Sequence, residues 1–114
     1  IQMQPREGAP VTSQHTSEVR FLYDDNNLYI GGTLHEDEMQ RVITGDLRRD
    51  FPGARDGDLY IVNLDTFYDK LNAYNFQTNP GCAQRDSQSY DDGRTVNANW
   101  DTVWQCRSSK VRCL

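Results

Sequence analysis

The stretch DLYIVNLDTFYDKLNAYNFQTNPG, Asp58 to Gly81, decides the fold class. Tyr60, Val62 and Leu64 share one side of an extended chain, while on the other side Leu59 and Ile61 give way to Asn63 and Asp65. A strand with this pattern begins buried on both faces and ends with one face wet. After the polar YDKLN, the run AYNFQT restores the period of two, with Tyr74 and Phe76 on one face and Asn75 and Gln77 on the other, until Asn79, Pro80 and Gly81 stop it. Two such runs joined by a polar turn predict an antiparallel hairpin.

Working outward, the same signal precedes it. Val19, Phe21 and Tyr23 alternate with Glu18, Arg20 and Leu22; then come Asp24, Asp25, Asn26 and Asn27; then Leu28, Ile30 and Leu34 restart the period. Asp and Asn suit the turn because they tolerate left-handed backbone angles and bond their own main chain. Glu18–Leu34 is therefore a second predicted hairpin. Before it, Ile1–Ser17 has no apolar period and reads as loop, as do FPGARDG (Phe51–Gly57) and DDGRTVNAN (Asp91–Asn99). Met39, Val42, Ile43 and Leu47 fit either a short helix broken by Gly45 or an irregular edge strand. CAQRDSQSY reads as a weak strand, and WDTVWQC as an alternating one with Trp100, Trp104 and Cys106 on one face. Short strands at this spacing predict an all-β fold, an antiparallel β-sandwich incomplete at both ends. Its expected core is Val19, Phe21, Leu28, Ile30, Tyr60, Val62, Leu64, Tyr74, Phe76 and Trp104.

The chain has 114 residues, which suits one domain with one modest core. The reading is a single domain, with 1–17 as loop and 18–114 as sandwich. Neither end has the form of a natural terminus, so the piece is expected to be less stable than its parent, with Cys113 accessible. Twelve Lys and Arg stand against seventeen Asp and Glu, a net charge of −5. With the two signs interspersed, there is no basic stripe to neutralise phosphates, which disfavours nucleic acid as a partner. The longest apolar run, Leu59–Val62, is far short of the about 20 residues that span a bilayer.

Catalytic chemistry has little to build on. A glycosidase needs two carboxylates at a set separation, and the acids here stand mostly in turns. A nucleophilic triad needs a strained Ser or Cys near a His, and the two histidines, His15 and His35, lie in the leading loop and at a strand end. Calcium takes carboxylate and carbonyl oxygens from loops, which makes Asp24, Asp25, Asp91 and Asp92 candidate ligands of a structural ion, although turn chemistry explains the same residues. Cys82, Cys106 and Cys113 lack paired zinc spacings. Cys106 and Cys113 could meet across a tight hairpin, or both could be ordinary buried thiols. A sugar offers an apolar face and a rim of hydroxyls, so its receptor needs a flat aromatic and a few amides or carboxylates on a rigid platform. Asn63, Asp65, Asn75, Gln77 and Trp100 are the candidate carbohydrate-binding residues. Against this, Asp65 and Asn72 could simply tie their turn, and Trp100 and Trp104 could be core.

Taken in order, EGAP, TSEVRFLYDDNNLYIGG, LRRD, LDTFYDKLNAYNFQTNPGCAQRD and NWDTVW resemble the family 9 carbohydrate-binding-module-like domain, in the N-terminal form found on larger bacterial envelope or secreted proteins. The resemblance runs from Glu7 to Trp104. It implies a β-sandwich that binds polysaccharide or oligosaccharide without catalysis, in a family whose members accompany xylanases and other glycoside hydrolases. It also implies an extracellular, periplasmic or outer-membrane location and a downstream domain in the same chain as partner. Family 9 modules hold sugar between two tryptophans. Trp100 and Trp104, four apart on one strand, cannot form that clamp, so no ligand residues carry over. The alternative is a structural N-terminal domain of an outer-membrane protein with no sugar binding.

Overall fold

The structure, a computed structural model, describes residues 10, 16–52 and 57–111, apart from the Met39 side chain. The leading loop with His15, most of the Phe51–Gly57 loop, and Cys113 lie outside the described residues. Within them the chain is all-β, with two antiparallel sheets of two and four strands, consistent with an incomplete β-sandwich. No helix among the described residues is long and apolar enough to cross a membrane. The sheets fall in two compact units, Ile1–Met39 and Gln40–Leu114.

The first unit is the predicted hairpin. β1 (Ser17–Tyr23) pairs with β2 (Leu28–Leu34) from Ser17 opposite Leu34 to Tyr23 opposite Leu28. Asp24 makes the turn: one carboxylate oxygen accepts the N–H groups of Asn26 and Asn27, each at 2.8 Å, and the other accepts the Tyr29 hydroxyl at 2.9 Å. The expectation that its apolar residues form core fails for Val19, Phe21 and Leu28, which are 44%, 61% and 53% exposed. Ile30 is half-buried. A two-stranded ribbon supplies no second layer of its own, and the residues opposite Val19 and Arg20 are Gly32 and Gly31, which have no side chains to cover them.

The second unit begins where a helix or edge strand was expected. Only Met39–Arg41 form a single 3-10 turn, and the chain from 42 to 47 is irregular because its main chain bonds to loops. The Ile43 N–H donates to the Asp58 carboxylate at 2.8 Å, the Asp58 N–H to the Ile43 carbonyl at 3.0 Å, and Asn79 Nδ2 to the Asp46 carbonyl at 2.7 Å. Gly57 permits this approach, since a Cβ there would lie 2.8 Å from the Ile43 carbonyl oxygen and 2.9 Å from the Gly45 nitrogen.

The sheet follows in the order β3-β4-β5-β6, with β3 Tyr60–Leu64, β4 Ala73–Thr78, β5 Gln84–Tyr90 and β6 Thr95–Asn97. The β3-β4 hairpin is as expected. CAQRDSQSY, weak in sequence, supplies the best-buried strand, and the supposed loop after Asp91 contains β6. The turn between them is chiral: Asp91 and Asp92 have φ of 55° and 59°, a conformation that Asp tolerates because its short side chain bonds locally. In the β3-β4 turn, Asp65 accepts the N–H groups of Asp69 and Lys70 at 3.2 and 2.8 Å, and Asp69 accepts those of Leu71 and Asn72 at 2.8 and 2.9 Å.

WDTVWQC is not a strand of either sheet. It is an extended strap whose burial still alternates, with Thr102, Trp104 and Cys106 half-buried and Asp101, Val103 and Gln105 exposed. Side chains replace the ladder: the Thr102 N–H donates to Asp86 at 2.8 Å, and Gln84 Nε2 donates to the Trp104 carbonyl at 3.0 Å. The strap ends in a disulfide between Cys106 and Cys82, with Cα atoms 5.6 Å apart. That pairing corrects both readings of Cys106, as a partner of Cys113 and as a free thiol. Cys82 sits at φ 59° in a turn organised by the buried Asn79, whose amide oxygen accepts from Gly81 and Ala83.

The fully apolar core among the described residues is small, Phe51 and Ala83, so covalent and polar ties matter more than usual. The disulfide spans 24 residues, a loop length for which cross-linking the unfolded chain contributes about 3.5 kcal/mol. Chemical denaturation of Cys82→Ser/Cys106→Ser is expected to show a loss of that order, and an unchanged midpoint refutes it. Acid should act through the turns. The Arg48 guanidinium holds Asp46 down at about 2, and main-chain N–H groups, led by those of Asn26 and Leu71, lower Asp24 and Asp69. A carboxylate depressed in the folded state stabilises above its unfolded pKa, near 4, and loses that stabilisation as pH falls through the folded value. The melting temperature should therefore decline between about pH 4 and pH 2; a flat profile across that window would contradict this assignment.

Candidate binding surfaces

Residues directly opposed in an antiparallel ladder lie on the same face, so the register divides β3-β6 into two surfaces. The first carries the row Asn63–Asn75–Ser87, with Gln77 between Ile61 and Arg85 in the next row. The second carries Tyr60–Thr78–Gln84, Val62–Phe76–Asp86 and Leu64–Tyr74–Gln88–Asn97.

The sequence-predicted site residues separate on this division. Asn63, Asn75 and Gln77 do share a face, where Asn75 Nδ2 donates to the buried Ser87 hydroxyl at 3.2 Å. Asp65 lies beyond the end of β3, and its carboxylate is turned into the β3-β4 turn. Trp100 is on the opposite face, stacked on Tyr74 with ring centroids 4.7 Å apart and planes inclined by 27°. Phe76 presents its ring at 82° to both tryptophans, at 6.1 Å from Trp100 and 5.5 Å from Trp104. Phe67 continues the aromatic series 6.3 Å from Tyr74 and is 65% exposed. Polar side chains border these rings. The Tyr90 hydroxyl donates to Gln88 Oε1, and Asn97 Oδ1 accepts the Asn99 N–H at 3.1 Å.

Beneath the strap lies an ion pair with no counterpart in the sequence reading. The Asp86 side chain is fully buried, and Arg49, 39% exposed, reaches it from the preceding loop with Nη2 at 3.1 and 3.2 Å from the two carboxylate oxygens. The same guanidinium bonds Asp101 and the Thr102 carbonyl on the strap, and donates from Nη1 to Gln84 at 3.1 Å. A period of two through β5 places Asp86 on the face of Tyr74 and Phe76, but only if β5 is known to pair with β4. Arg49, in a loop 37 residues earlier, gives no local signal.

The metal candidates stay in their turns. Asp24 accepts from three donors of its own hairpin, and Asp91 and Asp92 form the β5-β6 turn. Among the described residues no group of three or more His, Cys, Asp or Glu could jointly hold an ion. No family model matches the chain, and neither the curated proteins nor the solved structures include a match to it.

The two ends of the ion pair should respond differently to substitution. Arg49→Met strands a buried carboxylate with only the Thr102 N–H as partner among the described residues, a defect that costs about 3 to 5 kcal/mol. Asp86→Asn keeps an acceptor for that N–H and leaves a guanidinium that still has Asp101 and solvent, a change of about 1 to 2 kcal/mol. Equal losses in urea denaturation would show that the carboxylate is not the costly member.

Proposed function

We propose that the chain is a non-catalytic carbohydrate-binding module of a larger secreted or envelope protein that takes part in polysaccharide binding and breakdown. The observation that carries this reading is the second face of the β3-β6 sheet, where Trp100 and Tyr74 are stacked, half-buried rather than interior, with the exposed Phe67 beside them and the amides of Gln88 and Asn97 in the Tyr74 row. Ring faces cover the apolar side of a sugar, and amides bond its hydroxyls. The platform is held by a disulfide and a buried ion pair, so little order has to be gained on binding.

The resemblance to family 9 carbohydrate-binding-module-like domains points the same way, and the disulfide fits an oxidising compartment such as the periplasm or the exterior. Asn63, Asn75 and Gln77 form a separate polar face with no aromatic among them to cover the apolar side of a sugar. Binding is tested by affinity electrophoresis and calorimetry with immobilised and soluble plant polysaccharides. Retarded migration with a saturable heat is expected. A folded chain that is retained by no polysaccharide refutes the reading in favour of a structural N-terminal domain.

A further inference from the structure

We infer that the saccharide surface is the strip formed by Phe67, Tyr74 and Trp100, bordered by Gln88 and Asn97, and that it takes an uncharged glycan chain rather than an acidic one. This rests on the carbohydrate-binding reading above and adds which face acts and on what chemistry.

The strip is continuous. Ring centroids run from Phe67 to Tyr74 at 6.3 Å and from Tyr74 to Trp100 at 4.7 Å; Phe67 at the turn is exposed and the other two are half-buried. Tyr74 and Trp100 stack, so each covers one face of the other, and Phe67 is the ring open to solvent beside them. The bordering amides have their oxygens occupied, Gln88 Oε1 by the Tyr90 hydroxyl and Asn97 Oδ1 by the Asn99 N–H. Among the described residues their NH2 groups have no acceptor, which leaves them to donate to the hydroxyl and ring oxygens of a sugar. The opposite face, by contrast, spends the Asn75 amide on Ser87 and Ser89.

Charge sets the class of ligand. Phe67 stands in the β3-β4 turn with Asp65 and Asp69, and this turn meets the β5-β6 turn with Asp91 and Asp92 through the Asp92 N–H bond to the Leu71 carbonyl at 2.9 Å. Four carboxylates therefore flank that end of the strip, against Lys70 and Arg94 in the same two turns. At the other end Asp101 follows Trp100, and the nearby Arg49 guanidinium is already committed to Asp86 and Asp101. A uronate or sulfated chain would meet like charge with no uncommitted guanidinium from Arg49 to receive it, whereas a neutral polyol loses nothing.

The test uses the whole chain with β-glucan and glucomannan as neutral probes and polygalacturonate as the acidic one. The neutral chains are expected to bind and polygalacturonate not. Phe67→Ala, at an exposed position, and Gln88→Ala should each weaken neutral binding about tenfold with the melting temperature retained, while Asn63→Ala/Gln77→Ala binds as the parent does. Binding lost in Asn63→Ala/Gln77→Ala but kept in Phe67→Ala, or polygalacturonate held as tightly as β-glucan, overturns this inference and leaves carbohydrate binding standing. A chain that binds none of the three overturns both.

Discussion

A carboxylate buried at the middle of a strand is tolerated only if charge and hydrogen-bond donors reach it from elsewhere, because desolvating an ion costs several kcal/mol even after the protein relaxes. Asp86 imposes that condition on the Gln40–Leu114 unit. Its side chain is fully buried in β5, so the loop carrying Arg49 must lie close enough to place a guanidinium 3.1 Å away, and the strap must bring the Thr102 N–H to 2.8 Å. Two segments with no ladder of their own are thereby anchored to the sheet. Arg49 then links them to each other by bonding Asp101 and the Thr102 carbonyl. The planar, multi-donor guanidinium can serve these partners at once in a way that a lysine ammonium on a flexible stem cannot.

The balance of forces follows from how little apolar burial is present. Among the described residues only Phe51 and Ala83 are buried hydrophobics, so side chains that would be surface decoration on a larger core carry structure here. Asp24, Asp65, Asp69 and Asn79 each collect two or more main-chain N–H groups. The disulfide joins the Asn79–Ala83 turn to the end of the strap, near a Thr78 hydroxyl 3.1 Å from the Cys106 sulfur. Trp104 packs its ring on Phe76 even though its indole N–H is buried without an acceptor among the described residues. The packing gain of a large aromatic can exceed the cost of about 1 to 3 kcal/mol for one unpaired donor.

These ties also bear on the proposed role. An extended strap that simply floated over the sheet would leave Trp100 free to rotate, and stacking on a sugar would have to be preceded by ordering. Here the strap is tied to the sheet two residues after Trp100, by the Thr102 N–H bond to Asp86, and the Trp100 ring is stacked on Tyr74. The network that stabilises the sheet thus also pre-organises the aromatic strip.

The hairpins, the all-β class and the turn chemistry were legible in the residues alone, because alternation at a period of two and the local bonding of Asp and Asn are short-range effects readable at Val19–Ile30, Tyr60–Phe76 and Asp24–Asn27. The same alternation placed Asn63, Asn75 and Gln77 on one face. Tertiary structure decided the rest. Trp100 and Trp104 alternate like strand residues, and nothing local distinguishes a strand from a strap whose hydrogen bonds come from side chains. Cys106 has Cys113 seven residues away and Cys82 24 residues away, and only the β4-β5 turn brings the distant one within reach. Asp86 and Arg49 look like ordinary charged residues until the β4-β5 register buries one and the loop delivers the other. Pairings between residues far apart in the chain depend on which faces meet, and no window of sequence contains both partners.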